Sequence, residues 1–312
     1  MASSSPLEVM GTAGTWQEAG INDMQTDFYG TKLAMCSNDN TVRIFDINLV
    51  NGSQELAVTL QGHEGPVFQA AWAHPSFGTL LASCSYDKKV IIWQQGSETA
   101  ADGSVAMLWN PMFVYEGHAS AVNSVAWAPH QNGLMLACGS ADGDISMFKF
   151  IDGMWWVSKI HNAHAISCNS VSWAPAPVQN FGEVVSSKRI VSGGGDKMVK
   201  IWREEQDQWV EEFRLESHMN CVKEVAWAPA VGFGSNKMQI ASIADDHCLI
   251  IWTKVEQGWL REFVYLFQDP VQHINWNYVG EVLSVSAGVD KISLWKKSEA
   301  GNWECISNPY VS

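Results

Sequence analysis

Four short motifs recur in fixed order along this chain, and a repeat of this kind leaves very few folds open. One series reads SNDNTVRIFD from Ser37, SYDKKVIIWQ from Ser85, SADGDISMFK from Ser140, GGDKMVKIWR from Gly194, ADDHCLIIWT from Ala244 and GVDKISLWK from Gly288. In the first five a turn Asp precedes the terminal aromatic by six residues, and the last has lost one residue between Asp290 and Trp295. The aromatics Phe45, Trp93, Phe148, Trp202, Trp252 and Trp295 lie 43 to 55 residues apart. A second series interleaves with the first: VFQAAWAHP from Val67, VNSVAWAPH from Val122, CNSVSWAPA from Cys168, VKEVAWAPA from Val222 and VQHINWN from Val271, with INDMQT from Ile21 as a degenerate first member. Gly62-His63, Gly117-His118, Ala163-His164 and Ser217-His218 form a third series, and Trp109, Trp155 and Trp209 stand nine residues before three of those histidines. Trp259 and Trp303 hold the comparable place after the fifth and sixth aromatics.

Each series lies in a short β-branched and aromatic stretch bounded by Gly, Asp, Asn or Pro, which is how strands read. Four such strands per unit, with no long helical period, predict an all-β fold: a six-bladed WD-repeat β-propeller. The chain reads as one domain over residues 1–312. A surplus strand occupies 1–20, and the blades cover about 21–52, 62–115, 118–160, 164–214, 218–265 and 271–307. Both faces of a blade pack on neighbours, so Val122 and Trp127 on opposite faces of one strand are both core candidates. The turn Asp and the upstream His are expected to bond within a blade, the imidazole reaching a strand hydroxyl such as Ser83 and the hydroxyl reaching the Trp93 indole. The residues of these structural networks are His63, Asp87 and Trp93; His118 and Asp142; His164, Asp196 and Trp202; and His218, Asp246 and Trp252.

Composition excludes several function classes. A formal net charge of -14 argues against nucleic acid as partner, since phosphate binding needs a surplus of Lys and Arg. The first residues lack a basic region and an apolar core, so no secretory signal is read there, and no apolar run reaches the length of a membrane span. We therefore expect a soluble intracellular protein with no direct membrane insertion. The seven cysteines are scattered without CxxC spacing, which fits that compartment.

No constellation of catalytic residues emerges, and no enzyme activity, metal or cofactor is expected. The four repeat histidines belong to different blades and cannot converge on one ion. His161 and His164 have no third ligand of suitable spacing nearby. Gly193, Gly194 and Gly195 precede a turn and a strand, whereas a phosphate-binding loop leads into a helix. Cys36 and Cys84 stand three residues before a turn Asp and read as small core hydrophobes. Trp16 either covers the junction of the surplus strand and the first blade or fills the Gly-His place of a degenerate repeat. Glu98 to Ala106, Ala176 to Lys188 and Val231 to Asn236 read as loop insertions.

Ring closure is unusual in this sequence. NWECIS from Asn302 supplies an outer strand to the sixth blade, yet LEVMGTA from Leu7 also stands where an outer strand should. One strand is therefore surplus, and we expect it to begin a seventh blade that this chain does not finish. Leu7, Val9, Met10, Trp303 and Ile306 would then meet strands from a partner, by strand addition at an open edge. The alternative is that the strand packs on blade six as an extra edge, or frays.

Taken together, the motifs resemble the Sec-thirteen family of small propellers. The matching stretches are GHEGPVFQAAWAHP from Gly62, LASCSYDKKVIIW from Leu81, VNSVAWAPHQNGLMLACGSADG from Val122, NAHAISCNSVSWAPA from Asn162 and VKEVAWAPA from Val222. They run in the family's order from about Ile21 to Ile306. SCNSVSWAPA and WAPHQNGLMLACGSADG favour this family over the related Seh-one propeller. The resemblance implies an open six-bladed propeller whose seventh blade is supplied in trans. The implied donors are a Sec-thirty-one-like protein in the outer cage of the COPII coat and an α-solenoid nucleoporin in the Y-complex of the nuclear pore. It implies a scaffold role at endoplasmic reticulum exit sites, on COPII vesicles and at the pore, and membership of a coat-like nutrient-signalling complex. Thr26 in place of the repeat tryptophan and the residue missing before Trp295 depart from the pattern, in the two blades that flank the proposed gap. A different class of function, a ligase or signalling adaptor that reads short peptides on its top face, needs no partner strand.

Overall fold

Stretches of five to eleven residues that alternate apolar and polar side chains build 24 strands in a computed structural model of the chain, which describes residues 20–99, 105–176, 188–229, 238–289 and 291–307. The strands form six antiparallel four-stranded sheets, each in simple sequence order. These blades cover residues 21–61, 67–115, 122–160, 168–216, 222–266 and 271–307. Two three-residue 3-10 turns, Pro75–Phe77 and His130–Asn132, complete the regular structure among the described residues.

The first blade ends later than the expected boundary at 52. Its outer strand, Gln54–Gln61, pairs with the third strand from Ile47↔Gln54 to Thr41↔Gln61 and buries Leu60. QELAVTLQ carries no tryptophan where other outer strands do, so the motif gave no signal there. The segment expected as a loop from Glu98 to Ala106 begins and ends in strand. Its ends continue the third and outer strands of blade 2, with Glu98↔Ala106 and Thr99↔Val105 in register. The other two expected insertions fall almost wholly outside the described residues.

Blades stack through their apolar faces. Ala34, Cys36, Val42 and Ile44 of blade 1 meet Val67, Ala70, Leu81, Ile91 and Trp93 of blade 2. Ala82, Cys84, Val90 and Ile92 on the opposite face of blade 2 meet Val122, Val125, Leu136 and Phe148 of blade 3. The second strands of blades 2 and 3, Leu80–Ser85 and Met135–Ser140, are therefore buried along their whole length.

The inner strands, Ile21–Thr26, Val67–Trp72, Val122–Trp127, Cys168–Trp173, Val222–Trp227 and Val271–Trp276, carry a ladder of polar links from each blade to the next. At the second position, Asn22, Asn123 and Asn169 donate to the first carbonyl of the following strand, on Val67, Cys168 and Val222, at 2.8, 3.0 and 2.7 Å. At the third position, Asp23, Gln69, Ser124, Ser170 and Glu224 accept from the backbone N–H of Ala70, Val125, Val171, Val225 and Ile274, at 2.8 to 3.3 Å. At the sixth, the indoles of Trp72, Trp127, Trp173 and Trp276 donate to the carbonyls of Gln25, Ala71, Ala126 and Ala226. Trp227 is the exception: its buried indole nitrogen has no partner. The repeat tryptophans are thus staples between blades as well as core fillers.

Candidate functional site

The His, Asp and Trp motifs come together as buried chains inside single blades. In blade 2, His63 Nδ1 lies 2.9 Å from Asp87, its Nε2 lies 2.8 Å from Ser83 Oγ, and the Trp93 indole donates to the same oxygen at 2.9 Å. Blade 4 repeats this with His164, Asp196, Ser192 and Trp202, each distance 2.8 Å. Blade 5 repeats it with His218, Asp246, Ser242 and Trp252. One assignment satisfies every group: the imidazole is neutral, Nδ1–H donates to the carboxylate, the serine O–H donates to Nε2, and the serine oxygen accepts the indole N–H.

Blade 3 reaches the same end with different atoms. Phe148 has no N–H to satisfy, Cys138 stands where blades 2, 4 and 5 have serine, and His118 Nε2 bonds instead to Ser146 on the third strand at 2.9 Å. His118 Nδ1 lies 3.0 Å from Asp142.

Each Asp also accepts backbone N–H groups, as Asp87 does from Glu64 and Lys89. Burial opposes ionisation of Asp87, Asp142 and Asp196, but hydrogen bonds from histidine and backbone outweigh it and hold each at about 2. Burial pushes His118 and His218 below the ordinary imidazole value, with the neighbouring carboxylates working against it. These groups fix strand register within a blade. His161 pairs with Asp144 at 3.0 Å, apart from the His164 chain. Among the described residues no three His, Cys, Asp or Glu side chains are grouped to hold a metal ion.

The faces that do not follow the pattern lie where blade 6 and blade 1 would meet. None of the three ladder links joins blade 6 to blade 1 among the described residues. Blade 1 has Thr26 where a donating tryptophan would stand. Gln272, His273 and Asn275, which correspond to the linking positions of the other blades, are exposed. Ile21 and Met24 are 48% and 55% exposed, whereas their counterparts Val67 and Ala70 are fully covered by blade 1. On blade 6, one face of the second strand alternates as Val282, Ser284 and Ser286, all half-buried, while Leu283, Val285 and Ala287 on the other face are buried against blade 5. Ile292 in the third strand is 59% exposed, and its counterpart Val90 is buried.

Ile306 stands at a bulge whose counterparts reach forward to the next blade. Met112 packs near Leu134 and Trp155 of blade 3, and Glu262 bonds Lys297 and Trp303 of blade 6. Among the described residues no blade follows Ile306, which is 57% exposed. Trp303 requires a correction. It is buried and faces blade 5, with its ring 5.9 Å from Trp276 and its indole on Glu262. An inner and an outer tryptophan pair in this way in every blade but the first, so Trp303 belongs to the core and not to an open edge. Sequence spacing lists both tryptophans but does not show that they touch. Leu7, Val9 and Met10 lie outside the described residues.

The seam also gathers charge at the axis. His273 Nδ1 is 3.5 Å from Glu224 of blade 5, and Asp23 of blade 1 acts on it through space. The bond to Glu224 chiefly, with Asp23 adding to it, raises His273 above the usual imidazole value, against burial and Lys223. Burial raises Asp23.

The WD domain, G-beta repeat family matches residues 11–46, 54–94, 109–149 and 157–203. A Drosophila melanogaster protein named Protein SEC13 homolog is 43% identical over 300 residues, covering 93% of this chain and 81% of its own length. Protein transport protein sec13 of Emericella nidulans is 40% identical over 301 residues, covering 92% and 94%. Its namesake in Mycosarcoma maydis is 39% identical over 343 residues, covering 94% and 93%. Among solved structures, a chain from the Crystal Structure of Mitotic Checkpoint Complex aligns with a TM-score of 0.68 at 19% identity, over 90% of this chain and 75% of that one. That likeness bears on the fold alone.

Proposed function

Because the chain belongs to the SEC13 family of WD-repeat proteins, we propose that it serves protein transport as a structural subunit whose propeller is completed by strands from a partner. The observation that carries this reading is the seam. Five blade junctions are stitched by the inner-strand ladder, and at the sixth Ile21, Met24, Ile292 and Ile306 stay exposed. Apolar side chains exposed at a sheet face suit strand addition. The partner is a Sec-thirty-one-like protein of the COPII outer cage, for transport from the endoplasmic reticulum to the Golgi. An α-solenoid nucleoporin of the nuclear-pore Y-complex is a second partner, and a coat-like nutrient-signalling complex a third setting. In each the propeller stiffens a rod or vertex, and the work is mechanical with no chemical step.

Co-expression pull-down with mass spectrometry tests this, comparing the full chain with Ile292→Glu/Ile306→Glu and with a chain lacking Met1 to Ala13. Capture of an α-solenoid partner by the full chain and its loss from the charged seam is the expected result. Capture unchanged by the seam substitutions overturns the reading. Recovery of short-motif proteins alone, with no solenoid, favours a peptide-reading adaptor in its place.

A further inference from the structure

We propose that His273 is the residue that receives the incoming strand at the seam, and that it does so only in its neutral form. The inference rests on the partner-completed reading above and adds the register and the proton state of the contact. In blades 1 to 5 the third residue of the inner strand, Asp23, Gln69, Ser124, Ser170 or Glu224, accepts the backbone N–H of the fourth residue of the next inner strand. His273 holds this third position in blade 6, its side chain is 65% exposed, and no blade follows it among the described residues. Neither neighbouring position reaches forward to another blade: Gln272, whose amide oxygen accepts from Lys223 at 3.1 Å, stands where Asn22, Asn123 and Asn169 donate, and the carbonyl of Asn275, which stands where Ala71 and Ala126 accept an indole, accepts from Ser284 Oγ of its own blade at 3.1 Å. The occupant is therefore an inner strand of the same register. It offers a backbone N–H to His273.

His273 differs from the five other acceptors in its chemistry. An imidazole accepts through an unprotonated nitrogen, and imidazolium has none. Before the strand arrives, Glu224 at 3.5 Å and the charge of Asp23 favour imidazolium, and Lys223 opposes it. Docking must release that proton. Association then tightens as pH rises toward the raised value of free His273 and levels off above it, with a slope of about tenfold per pH unit at the acid end.

The test measures affinity of the full chain for the Sec-thirty-one-like coat protein by titration calorimetry at several pH values, with His273→Gln and His273→Leu alongside. NMR of the His273 ring follows its protonation. Gln69 shows that a glutamine makes the same contact, at 2.8 Å. We expect wild-type affinity to climb with pH and His273→Gln to bind with no such slope. His273→Leu should be weaker by about tenfold at high pH, the loss of one hydrogen bond. The ring should be neutral in the complex at pH values where it is charged in the free chain. A wild-type affinity that ignores pH, or a slope that survives in His273→Gln, overturns the role of His273 and leaves the partner-completed seam standing. Absence of binding by every chain at every pH removes the seam reading, and this proposal with it.

Discussion

The indole of Trp127 donates to the carbonyl of Ala71 at 2.8 Å, so a side chain of blade 3 closes a backbone group of blade 2. Trp227 holds the same place in blade 5, yet its indole nitrogen is buried without a partner. Replacing either by phenylalanine removes the same ring atoms, but only Trp127→Phe also breaks a hydrogen bond between blades. Urea unfolding should show Trp127→Phe less stable than Trp227→Phe by about 1 kcal/mol. Equal losses would contradict the staple role.

Ser192 satisfies two buried groups at once, His164 Nε2 and the Trp202 indole. Ser192→Ala removes one oxygen and strands both. The expected cost is about 2–4 kcal/mol, seen as a lower denaturant midpoint at unchanged slope. Ser284→Ala, on the half-buried seam face of blade 6, should change stability by less than about 0.5 kcal/mol.

Acid should unfold the protein in two stages. His118 and His218 sit below their unfolded value, so the fold favours neutral imidazole. Their contribution is complete above about 6.5 and fades as pH falls through their lowered folded values. Asp87, Asp142 and Asp196 lie at about 2 against 3.8 when unfolded. At most 12% of each of these side chains is exposed. Each therefore adds about 2 kcal/mol that is present above 3.8 and lost as pH drops toward 2. Urea midpoints from pH 7 to pH 3 check the order, and Asp142→Asn should flatten the lower stage.

Equivalent residues on blades 1 and 2 should tolerate substitution very differently. Met24→Asp places a charge on an exposed seam position and should cost the isolated chain less than about 1 kcal/mol. Ala70→Asp places one in the closed interface between blades 1 and 2 and should cost more than about 3 kcal/mol. Thermal unfolding of the two variants settles the comparison. Similar losses would mean that something other than solvent covers Met24.

Much of the fold was readable because each blade repeats the same local demands. Asp87 needs its tight turn, His63 needs a carboxylate beside it, and Trp93 needs an acceptor, so the partners recur at fixed spacing. The outer strand of blade 1 was missed because QELAVTLQ satisfies the sheet by alternation alone, without a marker residue. Spacing alone places Trp303 at the edge, because it gives the strand but not the face on which the ring lies. That face follows from register with Trp295 and contact with Trp276. The ladder of Asp23, Gln69, Ser124, Ser170 and Glu224 was illegible for a related reason. Five different side chains perform one task, accepting a backbone N–H, and no residue identity marks it.

Since the polar ladder ties each blade only to its immediate neighbours, the assembly behaves as a chain of coupled plates. Interrupted at one place, such a chain bends as a curved beam: a load applied at blade 6 reaches blade 1 by the long way round, through every joint between. A strand seated between Met24 and His273 would turn the beam into a hoop and give the load two routes. Stiffness would then rise sharply for the addition of one plate, with no change in any other joint.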